Sequence, residues 1–144
     1  MIKIQQEFMH DIEKEIPGDC HRACIASIFE LPLSEVPHFY RLAFTRPNDY
    51  SEIGTENLTR FLEKFGVFQL TVPAVGWDIN EWVAGMFIKR NIYHIISDQS
   101  PRFKDYFHSV VGCNGKQVWD PHPEAKEPLP VTDKRTFDFF VKYL

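Results

Sequence analysis

The chain carries no basic stripe, no long apolar run and little sulfur, and each absence removes a class of function. Its 16 Lys and Arg are interspersed with 20 Asp and Glu for a formal charge of -4. Phosphate contacts need clustered cations, so nucleic acid is not the expected partner. No apolar stretch approaches the ~20 residues that cross a bilayer. Met1 to His10 lacks the basic and apolar regions of a secretory start, so a cytoplasmic location without a membrane partner is expected. Cysteine is confined to Cys20, Cys24 and Cys113. An odd number without a secretory start argues against a disulfide framework and for a reducing compartment. There is no internal repeat or low-complexity tract, and the 10 prolines are scattered as punctuation.

What is present is enough for one core. With 144 residues and 44% apolar content, 13 Phe among them, a single domain over 1–144 with a ring-filled interior is expected. Residues 2–9 read as a short extended segment. After the break at Pro17-Gly18, Asp19 is placed to cap a helix over Cys20–Phe29 that is apolar around most of its circumference, hence central and buried. Leu31–Phe39, with Pro32 and Pro37, reads as a turn and a one-turn helix before an irregular loop over Thr45–Tyr50. Leu58, Phe61, Leu62 and Phe65 recur at helical spacing within Thr55–Phe65, an amphipathic surface helix with Gly66 as its left-handed end. A strand over Val67–Val72 and a helix over Ile79–Phe87, capped near Asp78, follow. Asn91–Ser97, Tyr106–Gly112, Lys116–Asp120 and Thr136–Tyr143 are short β-rich runs. Helices first and strands last predict an α+β domain, an N-terminal buried helix packed on a C-terminal antiparallel sheet.

A thiol in the first turn of a helix meets the positive end of the macrodipole and unpaired amides, which favour thiolate. Cys20 is so placed, and its own N–H can donate to an oxyanion. Taken alone, Cys20 is equally well a small buried hydrophobe. Cys24, one turn further in, belongs to the core, and Cys113 to a loop. The sequence also offers a base, His108, and a carboxylate to orient it, Asp120, on either side of Asn114-Gly115. If the loop is the three residues 113–115, paired residues have numbers summing to about 228, which sets His108 opposite Asp120 and Val110 opposite Val118. A two-residue loop would put His108 and Asp120 on opposite faces. Cys20, His108 and Asp120 therefore form a candidate catalytic triad. A zinc site from His108, Asp120, His122 and His94 is the weaker alternative, because no pair has tight ligand spacing, and no metal or other cofactor is assigned. Trp77, Trp82 and Trp119 are candidate cleft aromatics, more often core or rim. Arg102 and Lys104 are candidate anion contacts, more often only solvated.

The run Gly18-Asp19-Cys20-His21-Arg22-Ala23-Cys24-Ile25-Ala26-Ser27, followed by Leu31-Pro32-Leu33-Ser34-Glu35-Val36-Pro37, resembles small papain-like proteins of phages and bacteria. Ser100-Pro101-Arg102, His108-Ser109-Val110-Val111 and Asp120-Pro121-His122-Pro123 extend the resemblance over most of the chain. Related architectures are the leader-peptide peptidase domains of bacteriocin exporters and the BtrH-like acyltransferases. The resemblance implies a papain-like fold and a cysteine peptidase or amidase acting on a peptide or protein through a thioester acyl-enzyme. It also implies an oxyanion-binding Gln, which lines up with Gln5, with Gln6 the adjacent fallback. Acyl transfer by the same triad, and an inactive papain-fold binding protein of phage origin, are the competing expectations. The residues do not specify a substrate, a scissile bond or an oligomeric state.

Overall fold

The computed structural model describes residues 1–40, 50–74, 90–103 and 105–144. The expected helix over 79–87, most of the loop over 45–50, Trp77, Trp82 and Lys104 lie outside them. In chain order the elements are α1 (Cys20–Phe29), a 3-10 turn (Leu33–Glu35), α2 (Tyr50–Glu63), β1 (Val67–Pro73), β2 (Tyr93–Gln99), β3 (Phe107–Cys113), β4 (Lys116–Trp119) and β5 (Thr136–Lys142). The strands form one five-stranded antiparallel sheet in the order β1-β5-β2-β3-β4. The α+β class is therefore as the sequence predicts. Among the described residues no helix is long and apolar enough to cross a membrane.

Helix α1 forms where apolar residues surround the axis, and Ala23, Cys24, Ile25 and Ala26 are wholly buried. It ends at Glu30, which turns left-handed (φ 57°) while its N–H donates to Ala26 O. The helix lies on β3 and β2. Alternation along the strands then builds two cores. Ile95 and Val111 face α1 and join Phe39 together with Leu58, Phe61 and Leu62, the apolar stripe of α2. Ile96, Val110, Phe137 and Phe139 face the other way and are closed over by Leu129.

Four expectations need correction. Helix α2 begins at Tyr50, five residues before Thr55 and within the expected loop. Residues 2–9 add no strand to the sheet. They run over the end of α1 and across to the β4 exit, with Ile2 N–H on Ser27 O at 3.1 Å, Ile4 N–H on Ser27 Oγ at 3.1 Å and Gln6 N–H on Pro121 O at 3.0 Å. Asp19 stands at the N-cap position of α1 but makes no capping hydrogen bond, because its carboxylate is engaged elsewhere. The β3–β4 turn also has two residues rather than three, with consequences for the site.

Gly112 of β3 occupies a position that leaves no room for a side chain. A methyl there would overlap His94 Nε2 and approach Ile96 Cδ1 to 2.8 Å. His94 is itself wholly buried against Phe137 and Phe139. Gly112→Ala is therefore expected to lower stability by about 1–3 kcal/mol, read as a shifted urea midpoint. An unchanged midpoint would show that the two neighbours yield freely.

Candidate active site

The start of α1 is fixed by a buried ion pair. Asp19 Oδ2 accepts from Arg22 Nη1 at 2.9 Å, and Asp19 Oδ1 accepts from Phe8 N–H at 2.8 Å. Arg22 donates through Nε to Val36 O at 2.6 Å and through Nη2 to Leu33 O at 2.8 Å. The segments before and after the helix are thereby tied to its first turn, and Cys20 is held between them. A guanidinium satisfies this because it has five donors in a fixed fork.

Cys20 lies beside His108, whose imidazole acts on the thiol together with the backbone N–H groups of His21 and Ser109. The Ser109 amide is available because β4 pairs with β3 only through Val111, Gly112 and Cys113. Burial by itself would raise the Cys20 pKa. The hydrogen bond and charge of His108, with the two amides, outweigh burial and bring the thiol below its ordinary value. Cys24 is the contrast, since burial and the nearby charges of Cys20, Asp120 and Asp138 push it well above the ordinary value. It is core, as the sequence reading has it, and Cys113 is a half-buried turn-side thiol.

His108 Nε2 lies 2.8 Å from Asp120 Oδ1, which leaves Nδ1 for the sulfur. The route to this contact differs from the expected register. Asn114 (φ 50°) and Gly115 (φ 81°) form a two-residue turn of the type that requires two left-handed residues. Cys113 pairs with Lys116, and Gly112 with Gln117. On those pairings alone His108 and Asp120 would face apart. A bulge at Val118 then shifts the register, so that Val111 pairs with Trp119 rather than the next residue back. Val110 is consequently not opposite Val118. Carried one residue on, the shifted register places Asp120 opposite Val110, diagonal to His108 and on the same face, within reach of a ring.

Burial would depress the His108 pKa, but the hydrogen bonds and charges of Asp120 and Cys20 raise it to about 9. Burial would likewise raise the Asp120 pKa, yet His108 and the His122 N–H, which donates at 2.8 Å, hold it below the usual carboxylate range. The three groups form a relay in which the imidazolium favours ionisation of the thiol on one side and of the carboxylate on the other.

Cys20 and His108 line a cleft of about 840 Å³, with Asp120 behind the ring and outside it. Gln5 does not. It is exposed and lines a separate depression beside Trp119 and Asp120. Gln6 is buried and does line the cleft with Cys20. In an extended segment a one-residue step changes sides, and the bond from Gln6 N–H to Pro121 O sets which side each glutamine takes. Trp119 also stays out of the cleft, donating Nε1–H to Ile4 O at 3.0 Å under Lys3. Arg102 is at the rim. Among the described residues no three His, Cys, Asp or Glu side chains converge as a metal site requires, and His94 is sequestered among phenylalanines. The cleft also contains polar groups that sequence reading missed, namely His21, Gln69, Ser97 and Asp138. They come from α1, β1, β2 and β5, and no local motif joins them.

Compared with family models, curated proteins and solved structures, the chain matches none.

Proposed function

We propose that the protein is a cysteine hydrolase of papain-like mechanism that cleaves an amide bond in a peptide or protein. One observation carries the reading: a helix-start sulfur in the same cleft as an imidazole that is held by a carboxylate at 2.8 Å. A half-buried thiol of lowered pKa, next to an oriented imidazole, is the arrangement nucleophilic catalysis needs, and a structural cysteine has no use for it. The Cys20 proton passes to His108, and the thiolate adds to the carbonyl carbon. The oxyanion is met by the Cys20 N–H and by Gln6, whose Nε2 has a second hydrogen beyond the one given to Phe8 O at 2.9 Å. Collapse expels the amine, which takes the proton from His108 and leaves a thioester. Water, deprotonated by His108, then releases the acid and regenerates the thiol.

The test is incubation with a peptidyl acyloxymethyl ketone, which alkylates an activated cysteine, followed by mass mapping. A single adduct on Cys20, absent from Cys20→Ala, is the expected result. Adducts distributed over Cys20 and Cys113 alike, or none at all, would remove the assignment.

A further inference from the structure

Beside Cys20 the cleft contains a group of hydrogen-bond acceptors that the proposed mechanism does not use. Asp138 of β5 is 5% exposed, and among the described residues its carboxylate accepts one hydrogen bond, from Thr71 Oγ1 to Oδ1 at 2.6 Å. Its other oxygen has His21 Nε2 as nearest partner, at 3.7 Å, beyond hydrogen-bond range. Thr71 Oγ1 in turn accepts from Gln69 Nε2 at 3.3 Å. That fixes the amide's orientation and leaves Gln69 Oε1 buried with no partner. His21 Nδ1 is likewise buried and unpartnered. Register explains why the acceptors meet: Asp138 is opposite Thr71 on β1 and opposite Ile95 on β2, and so lies on the face of the sheet that α1 covers. His21 directly follows the nucleophile, so the group adjoins the reacting sulfur.

A nearly buried carboxylate with an unbonded oxygen, next to an orphaned amide oxygen, is costly to leave without donors. We infer that His21, Gln69 and Asp138 form a specificity subsite for a cationic donor, the ammonium or guanidinium of a Lys or Arg side chain in the substrate near the scissile bond. The inference rests on the cysteine-hydrolase reading and names its substrate class. A multi-donor cation fits better than a hydroxyl, because it can serve the Asp138 oxygen and Gln69 Oε1 at once and neutralises the carboxylate. Burial by the bound substrate strengthens the contact by removing water from it.

The experiment measures Cys20 alkylation by matched peptidyl acyloxymethyl ketones carrying Lys, Arg, norleucine or Glu at each position in turn. Lys or Arg at one position is expected to react at least about tenfold faster than norleucine there, the size of one charge-assisted hydrogen bond. Within each variant the ratio of Lys to norleucine rates is taken, so that altered thiol reactivity cancels. Asp138→Asn should bring this ratio close to one. Gln69→Lys, at a less buried position, should do the same and raise the rate with Glu. Norleucine matching Lys at every position, or a ratio that survives both substitutions, overturns the subsite. Failure of the hydrolase reading looks different: no probe then reacts selectively at Cys20, whatever its charge.

Discussion

His108→Ala is expected to slow alkylation of Cys20 by iodoacetamide at pH 6 on the order of 100-fold, because the imidazolium beside the sulfur lowers the thiol pKa and so raises the share of thiolate. His108, raised to about 9, is charged throughout the neutral range. Removing it leaves the amides of His21 and Ser109 against an unopposed burial penalty. The pH dependence should change along with the rate. The native protein's labelling should rise less steeply with pH than the variant's, which should gain close to tenfold per pH unit towards the ordinary thiol range. Cys24 and Cys113 serve as internal controls, since neither touches the ring. Indistinguishable profiles in the two proteins would mean that the imidazole does not activate the sulfur. Asp120→Asn should fall between, because it lowers the His108 pKa without removing the ring.

The second large effect lies away from the cleft. Asp98, on β2, is 0% exposed and directly opposite His108. It accepts from Arg135 Nε at 2.8 Å, Thr132 N–H at 3.0 Å, Gln99 N–H at 2.7 Å and the Thr132 hydroxyl. Arg135 also ties Leu129 O and Pro130 O, so this one carboxylate anchors the loop that places Leu129 over the second core. Asp98→Ala strands a nearly buried guanidinium and three further donors, and is expected to cost about 3 kcal/mol by urea unfolding at pH 7. The sign with pH follows from the shift. These donors outweigh burial and hold the Asp98 pKa below its unfolded value. Its contribution is therefore complete above about pH 4 and is lost as pH falls through the depressed value. The variant's stability should accordingly depend less on acid than the native protein's. A cost under about 1 kcal/mol would mean that the loop is held by Leu129 alone.

The parts of this protein that were legible in the sequence are those set by local pattern. The limits of α1 follow from an unbroken apolar run after Pro17-Gly18, and the left-handed Gly66 from its place after α2. The β strands came within two residues of their observed ends because each is a short β-branched or aromatic run. The triad could be named because a helix-start thiol, a strand histidine and a post-turn aspartate each leave a local mark. Long-range polar pairing leaves none. Nothing near Asp98 points to Arg135, nor anything near His21 to Asp138, and nothing local to Arg22 marks the carbonyls of Leu33 and Val36 that it serves. The error over Gln5 and the error over the hairpin have a common origin. Each concerns which side of an extended chain a residue faces, and a single step reverses that.

The Val118 bulge makes the spacing between His108 and Asp120 a matter of odd and even. Deleting that residue would leave the aspartate on the ring's side, because Trp119 would still meet Val111. Straightening the arm while keeping Val118, so that it enters the ladder opposite Val111, would turn the aspartate away.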